Sequence, residues 1–307
     1  MLDVTTWELW ADETAGFDDK LWLVRPGTDE RDPASRWLFK PVTVKGGHIH
    51  GEDWAEKVAS HAAQALTVPC AQVELAVRNG RRGSLSRNLR PSTYDMQSGL
   101  VLLSSLVEHY RPGSENVKGR PGHSLRNIGR ALEGALPPPG TRLPDDFTAF
   151  DAFVGYLVLD AWIANRDRHD ENWSVLIPIA PADPNEPMRL CGTYDQAGAL
   201  GYNVRDEERA RRLDQPELLQ RWVERGTAGR FEYDPGTGPV TLVALAVEGL
   251  GMVSDRARAY WTRKLAAITD AQERTLVARV PEMSDPARSF ALAVLRANRG
   301  RLLRDCH

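Results

Sequence analysis

Cysteine is scarce in this chain of 307 residues, and Cys70, Cys191 and Cys306 lie far apart. Their spacing matches no metal site, and their odd number does not suggest a disulfide framework. Such a sequence fits a reducing compartment, and we expect a cytoplasmic protein. An excess of basic residues is also missing, since the net charge is −3 at pH 7. We therefore predict no direct binding to nucleic acid.

Long apolar runs are missing as well. The segment 147–164 comes nearest to a membrane span, but Asp151, Gly155 and Asp160 interrupt it and its length is marginal. We predict a buried core helix there and no membrane association. Residues 1–4 do not show the basic start of a secretory signal, so we expect none.

Three polar residues form the strongest functional pattern. Asp167 and Asn172 are five positions apart, and Asp195 follows 23 residues after Asn172. A carboxylate can orient an acceptor hydroxyl and take its proton late in phosphoryl transfer. A carboxamide and a second carboxylate can supply the oxygen ligands that Mg²⁺ prefers. The pattern therefore favours transfer of a phosphoryl group from a nucleotide to a hydroxyl.

The flanking segments predict that these residues converge. The apolar helix ends before Asp167, and a strand is predicted over 173–177. A second strand over 188–194 ends at Asp195, and the turn at 178–187 joins the two strands as a hairpin. A solvated turn is the alternative for an isolated D-x4-N pattern. The predicted elements on both sides favour a catalytic loop.

The amino-terminal part predicts several strands around one helix. The predicted strands are 7–10, 21–24, 36–40, 71–77 and 83–87, with a flexible segment at 42–51 and a helix at 52–66. Lys40 ends the third strand, and Glu56 lies in the first part of the helix. In kinases such a lysine contacts nucleotide phosphates and is held by a glutamate of the following helix. For each residue alone, an exposed surface position is the alternative.

Together these motifs resemble those of HipA-like kinases, which are bacterial serine/threonine kinases of protein-kinase-like fold. The motifs are Ala15-Gly16-x-x-x-Lys20, Leu38-Phe39-Lys40-Pro41, Gly51-Glu52-Asp53-Trp54-x-Glu56, Asn165-x-Asp167-Arg168-His169-x-x-Asn172 and Tyr194-Asp195. The Asp-Arg-His-x-x-Asn core is also similar to that of phosphatidylinositol 3-/4-kinase catalytic domains. The resemblance covers roughly residues 7–300.

The resemblance implies an α+β, bilobal protein-kinase-like fold. A small β-rich N-lobe with one helix would occupy residues 1–90, and a larger helical C-lobe would occupy 91–307 as part of a single kinase domain. The helices predicted in the C-lobe are 98–110, 124–136, 147–164, 240–250, 255–268, 270–280 and 285–303. A short activation segment is expected at 198–203.

The resemblance also assigns the site residues. Asp167 would be the catalytic aspartate, and Asn172 and Asp195 would hold Mg²⁺. His169 would contact the phosphates or orient Asp167, with a structural role as the alternative.

On the nucleotide side, the resemblance assigns a phosphate-covering loop and an adenine contact. The loop would be Ala15 to Lys20 with Gly16, and Lys40 would contact the phosphates beside Glu56. The backbone of Ser86, Arg87 and Asn88 would hydrogen-bond the adenine.

The implied activity is an ATP- and Mg²⁺-dependent transfer of the γ-phosphoryl group to a serine or threonine hydroxyl of a protein. The alternatives are a kinase of a small molecule, a lipid or a biosynthetic peptide precursor, and a nucleotide-binding pseudokinase or interaction protein. HipA-like toxins dock an antitoxin through an additional amino-terminal β-rich subdomain, and the first strand predicted here lies too near residue 1 to follow one. The sequence therefore does not support an antitoxin partner. Glu13 and Thr14 lie about where those toxins carry a regulatory serine, so that control is not expected either.

Overall fold

The computed structural model describes residues 1–12, 20–108, 110, 117–180, 183 and 185–306. The strands are β1 (Leu2–Asp3), β2 (Glu8–Asp12), β3 (Leu21–Val24), β4 (Arg36–Pro41), β5 (Val44–Lys45), β6 (His48–Ile49), β7 (Val73–Arg78), β8 (Arg81–Arg87), β9 (Tyr94–Ser98), β10 (Ser174–Pro178) and β11 (Arg189–Leu190). The helices are α1 (Glu52–Leu66), α2 (Gly99–Leu106), α3 (Leu125–Ala131), α4 (Ala149–Trp162), α5 (Asp206–Asp214), α6 (Pro216–Glu224), α7 (Leu242–Met252), α8 (Asp255–Ala266), α9 (Asp270–Ala278) and α10 (Asp285–Asp305).

The amino-terminal region is built on one twisted sheet with the strand order β1-β7-β8-β4-β3-β2. Neighbouring strands in this sheet are antiparallel, except that β1 and β7 are parallel. Asn79 and Gly80 join β7 to β8 with φ values of 48° and 76°, as a two-residue hairpin turn of this hand requires. An Asn-Gly dipeptide between two strands is typical of such a turn. The register places Lys40 of β4 opposite Ser84 of β8.

Helix α1 packs against the sheet and has the predicted bounds. Its buried face is rich in alanine, including Ala55, Ala59 and Ala62, each with 0% exposure. Small side chains let the helix axis come close to the sheet, and Glu56 is consequently buried at 1% exposure. The buried apolar residues of α1 belong to the same hydrophobic cluster as the core of the helical region.

Helix α4 runs through the middle of the helical region and is buried on nearly all sides. It begins with a capping box, in which the Thr148 side chain accepts from the Asp151 backbone N–H and Asp151 accepts from that of Thr148. Helices α1, α7, α8 and α10 contact it. The core helix predicted at 147–164 is confirmed. Among the described residues, no helix has the length and apolarity that crossing a membrane requires.

The α+β class and the two-lobed architecture are also confirmed, with a β-sheet amino-terminal region and a helical carboxy-terminal part. The predicted boundary at residue 90 lies between β8 and β9 and stays a prediction.

Some local details differ from the predictions. The segment 42–51 contains the short hairpin of β5 and β6, which was not predicted. The strand predicted over 188–194 is shorter, because β11 ends at Leu190 and the chain then turns toward the end of α1. There Thr193 N–H donates to the Pro69 carbonyl at 2.8 Å. Strand β9 and helices α5 and α6 were not predicted.

Candidate active site

Lys40 lies between two carboxylates at the end of β4. Its Nζ is 2.8 Å from Asp195 Oδ1 and 3.5 Å from Glu56 Oε1. The Ser84 hydroxyl, opposite Lys40 in the sheet, donates to Glu56 Oε2 at 2.6 Å. The sheet register, the close approach of α1 and the path of the chain beyond β11 therefore bring three predicted site residues together.

The charges in this cluster stabilise one another. Burial disfavours the charged form of Lys40, but Asp195 and Glu56 outweigh it and raise the pKa of this ammonium group. Burial likewise disfavours the carboxylate of Asp195, but Lys40 and Lys20 hold its pKa well below the ordinary value. The backbone of Asp195 is left-handed, with a φ of 58°. A non-glycine residue in this conformation is uncommon and often marks a functional site.

The loop after α4 is held by a buried ion pair. Arg168 donates from Nε and Nη2 to the two oxygens of Asp160, at 2.7 and 2.8 Å, and from Nη1 to the Asn172 carbonyl at 2.6 Å. Asn165 donates to Asp160 as well, at 2.8 Å. Arg168 and Asp160 are each 2% exposed. A guanidinium can donate several hydrogen bonds in a fixed geometry, and that of Arg168 joins α4, through Asp160, to the far end of the loop at Asn172.

Within this loop the Asn172 side chain is bonded to the backbone of Asp167. Asn172 Nδ2 donates to the Asp167 carbonyl at 2.7 Å, and the Asp167 N–H donates to Asn165 Oδ1 at 3.2 Å. The Asn172 side chain is buried, whereas that of Asp167 is 41% exposed. Asp167 is thus presented to solvent, and the Asn172 carboxamide, whose nitrogen makes the bond to Asp167, keeps its oxygen as a possible cation ligand.

The hairpin of β10 and β11 returns Asp195 to this loop, as predicted. The Tyr194 hydroxyl donates to the Glu171 carbonyl at 2.8 Å. Three residues after Asp195, Gly198 lies so close to the loop that a Cβ there would be 3.1 Å from Asp167 Cβ. Only a residue without a side chain fits this approach easily.

His169 lies on the same loop near the charged groups. Its N–H donates to the Asp167 carbonyl at 2.8 Å, and its Nδ1 accepts from the Glu171 N–H at 3.3 Å. Burial opposes the charge of the neighbouring Asp170, but the nearby His169 side chain and a hydrogen bond from the Tyr110 hydroxyl lower the pKa of Asp170 to about 2. His169 therefore contributes to the shape of the loop, whether or not it also contacts phosphates.

Arg230 reaches Asp167 from a distant loop, and its Nη2 is 2.6 Å from Asp167 Oδ1. The Arg230 carbonyl accepts from Nδ1 of the buried His123 at 2.7 Å, while Trp173 Nε1 donates to His123 Nε2 at 3.2 Å. These two bonds require the neutral form of His123 with its proton on Nδ1. Phe231 stacks on the His123 ring, with centroids 4.6 Å apart.

The predicted adenine contact lies at the end of β8. The N–H groups of Arg87 and Asn88 donate to the Gln72 and Arg36 carbonyls at 2.9 and 3.0 Å. These two donors are therefore used within the protein, and any adenine contact would use other backbone groups of this segment. Residues 13–19 lie outside the described residues, and with them Ala15 and Gly16 of the predicted loop. Lys20, the next residue, lies close enough to Asp195 to lower its pKa.

Some residues of the site were not predicted. The sequence contains a signal for Asp160, because a carboxylate in an otherwise apolar buried helix needs a charged partner. The sequence contains no such signal for Ser84, whose contact depends on strand register, or for Arg230, whose contact depends on a distant loop.

Comparison with known proteins identifies the fold. No protein-family model matches the sequence, and no curated protein matches it. The Helicobacter pylori proinflammatory kinase CtkA is similar over 100% of this chain and 97% of its own, with a TM-score of 0.74 and 15% identity. HipA, from the Shewanella oneidensis MR-1 toxin–antitoxin complex with HipB and operator DNA, has a TM-score of 0.53 and 15% identity. That match covers 98% of this chain and 66% of the other.

The chain has the fold of HipA-like kinases. The resemblance predicted from the motifs is confirmed at the level of the fold. On this fold the cluster of Lys40, Glu56 and Asp195 lies beside the loop of Asp167 and Asn172.

The residues of this site fit Mg²⁺ and a nucleotide. Asp195 offers a carboxylate of lowered pKa and Asn172 a carboxamide oxygen, and Mg²⁺ is commonly held by one or two such ligands together with nucleotide phosphates. Lys20 and Lys40 add positive charge near Asp195, where phosphates would lie.

Proposed function

We propose that this protein is a kinase that uses ATP and Mg²⁺ to phosphorylate a hydroxyl group. The observation that carries the proposal is the placement of Lys40 between Glu56 and Asp195, at 3.5 and 2.8 Å. The hairpin brings this cluster to the loop of Asp167 and Asn172. Kinases hold nucleotide phosphates and metal on one side of such a cleft and the acceptor on the other.

Each residue has a defined part in the proposed reaction. The acceptor oxygen bonds to the γ-phosphorus, the bond from that phosphorus to the β,γ-bridging oxygen breaks, and Asp167 accepts the acceptor's proton as ADP leaves. Asn172 and Asp195 would hold Mg²⁺, which neutralises phosphate charge when bound. Lys40 holds the phosphates, and Glu56, itself fixed by Ser84, keeps Lys40 in place.

We further propose protein serine or threonine as the acceptor. The motif resemblance to HipA-like serine/threonine kinases supports this proposal, while the fold shared with the proinflammatory kinase CtkA supports a kinase without indicating its acceptor. We propose a cytoplasmic location, because Cys70, Cys191 and Cys306 are free thiols.

Transfer of label from ATP tests this function. The purified protein would be incubated with γ-labelled ATP, Mg²⁺ and a cell extract, and label would be measured in protein, lipid and small molecules. We expect label in protein as phosphoserine or phosphothreonine, and its loss with Asp195→Ala. Label confined to lipid or small molecules would contradict the protein acceptor. Equal labelling by wild type and Asp195→Ala would contradict the proposed metal site.

A further inference from the structure

Arg230 places a positive charge directly on the proposed catalytic aspartate. Its Nη2 is 2.6 Å from Asp167 Oδ1, and the side chains of Arg230 and Asp167 are 29% and 41% exposed. The contact therefore lies at the solvent side of the cleft, where an acceptor would approach. It engages Oδ1 of the carboxylate and leaves Oδ2 to receive a hydroxyl.

Contacts with His123 hold the backbone around Arg230 in place. The His123 ring donates to the Arg230 carbonyl and accepts from the Trp173 indole, and Phe231 stacks on it. The Glu232 N–H also donates to the His123 carbonyl at 2.8 Å. Because Trp173 immediately follows Asn172, this chain of contacts ties the Arg230 loop to the far end of the catalytic loop.

Asp167 is confined from its other sides as well. Its N–H donates to Asn165 and its carbonyl accepts from Asn172. The backbone of Gly198 packs so close to the Asp167 Cβ that a side chain at position 198 would not fit easily. The backbone is thus fixed, and rotation of the carboxylate is the freedom that remains. Arg230 restricts that rotation, because a charge-assisted hydrogen bond favours one orientation of the oxygen that it contacts.

We propose that Arg230 is a positioning residue that holds Asp167 Oδ1, so that Oδ2 faces the acceptor hydroxyl. The inference rests on the proposed function, since it concerns the same transfer step. Arg230 exchanges no proton, because a guanidinium stays protonated in proteins. The acceptor's proton goes to Asp167 Oδ2 while the new P–O bond forms and ADP leaves. An autoinhibitory Arg230, which the acceptor would have to displace, predicts the opposite effect of its removal.

The test measures phosphate release from Mg²⁺-ATP, with water as the acceptor, for wild type, Arg230→Gln and Arg230→Lys. We expect Arg230→Gln to lower kcat roughly 10- to 100-fold with the KM for ATP unchanged, because misplacing a catalytic group costs this much. Arg230→Lys should recover part of the loss, since it restores the charge without the planar fork. Arg256→Gln, which breaks the exposed 2.8 Å pair of Arg256 with Asp146, is the matched control and should not change kcat. An unchanged or higher kcat for Arg230→Gln would overturn the inference.

Two further measurements separate this inference from the proposed function. If wild type releases no more phosphate than Asp167→Asn, the proposed function fails and the inference fails with it. The contact itself is tested without turnover by a double-mutant cycle on urea unfolding, with Arg230→Gln, Asp167→Asn and both together. Non-additive losses support the pair, and additive losses would overturn the positioning role even in an active enzyme.

Discussion

At the scale of single residues, Arg168 shapes the loop of Asp167 and Asn172 through buried contacts. Its guanidinium is 2% exposed and contacts both oxygens of Asp160 and the Asn172 carbonyl. Burying a charge costs free energy that its ion-pair partner offsets. Removing one of the two residues therefore leaves the other charge buried without a partner. The loop and the core are coupled through this pair.

Arg168→Met should therefore lower the free energy of unfolding by about 3–5 kcal/mol, as measured by urea denaturation. Adding Asp160→Leu should recover part of the loss, because no uncompensated charge then remains in the core. A double variant that loses the sum of the two single losses would contradict this account. Arg256→Met is the control, since it breaks an exposed pair and should cost at most about 1 kcal/mol.

How far the sequence predicts the site depends on the kind of residue. Lys40, Glu56 and Asp195 follow from residue type and chain order, and the structure brings them into contact. Arg230 is 63 positions from Asp167 and lies in no recognisable motif. Its contact with Asp167 depends on a loop held by His123, a long-range contact that local patterns do not encode.

At the scale of elements, α4 is the helix around which the larger lobe packs. Gly155 lies at its centre, and a Cβ there would come within 2.3 Å of the Trp261 ring. That ring cannot easily move, because it is fully buried and its Nε1 donates to the Asp151 carbonyl at 2.8 Å. The contact between α4 and α8 therefore requires glycine.

Gly155→Ala should destabilise the protein by about 1–3 kcal/mol despite the higher helix propensity of alanine, because it overpacks the core. Gly129→Ala in α3 is the matched control, since its nearest contact would be 3.6 Å from Phe150. That variant should keep or raise the melting temperature. Equal melting temperatures for Gly155→Ala and wild type would show that the helix pair can shift without cost.

The elements that the sequence predicts well have local signals. Helix α1 combines an acidic first turn with an alanine-rich face, and its predicted bounds are confirmed. Helix α5 was missed because its buried contact is Arg209, whose guanidinium donates to the carbonyls of Gly201 and Tyr202. When the buried residue of a helix is polar, the segment lacks the regular spacing of apolar residues that predicts a helix. Strand β9 was missed because pairing with β10, about 80 residues later, stabilises it.

At the scale of the whole molecule, His123 makes stability depend on pH. Burial lowers its pKa to about 4, from an ordinary value of 6.5, against the opposing effects of the Arg230 carbonyl and Asp170. Between these two values the unfolded chain binds a proton at this residue and the folded protein does not. The free energy of unfolding must therefore fall as the pH falls through this window.

We expect His123→Asn to reduce that dependence. Between about pH 4.5 and 6, wild type should lose stability more steeply than the variant, by about 1.4 kcal/mol per pH unit, because one proton fewer is linked to unfolding in the variant. Urea unfolding of both proteins across this range measures the difference. Parallel curves would mean that the buried His123 is already charged in the folded protein.

The central claim, that Asp167 carries out phosphoryl transfer in a nucleotide cleft, is tested most directly by comparing Asp167→Asn with wild type. Binding of Mg²⁺-ATP would be measured by calorimetry and turnover by release of phosphate from the same preparations. We predict similar affinities and a turnover lowered roughly 10²- to 10⁴-fold in the variant, because the lost carboxylate acts in the transfer step. Equal turnover by both proteins, or no binding of Mg²⁺-ATP by wild type, would contradict it.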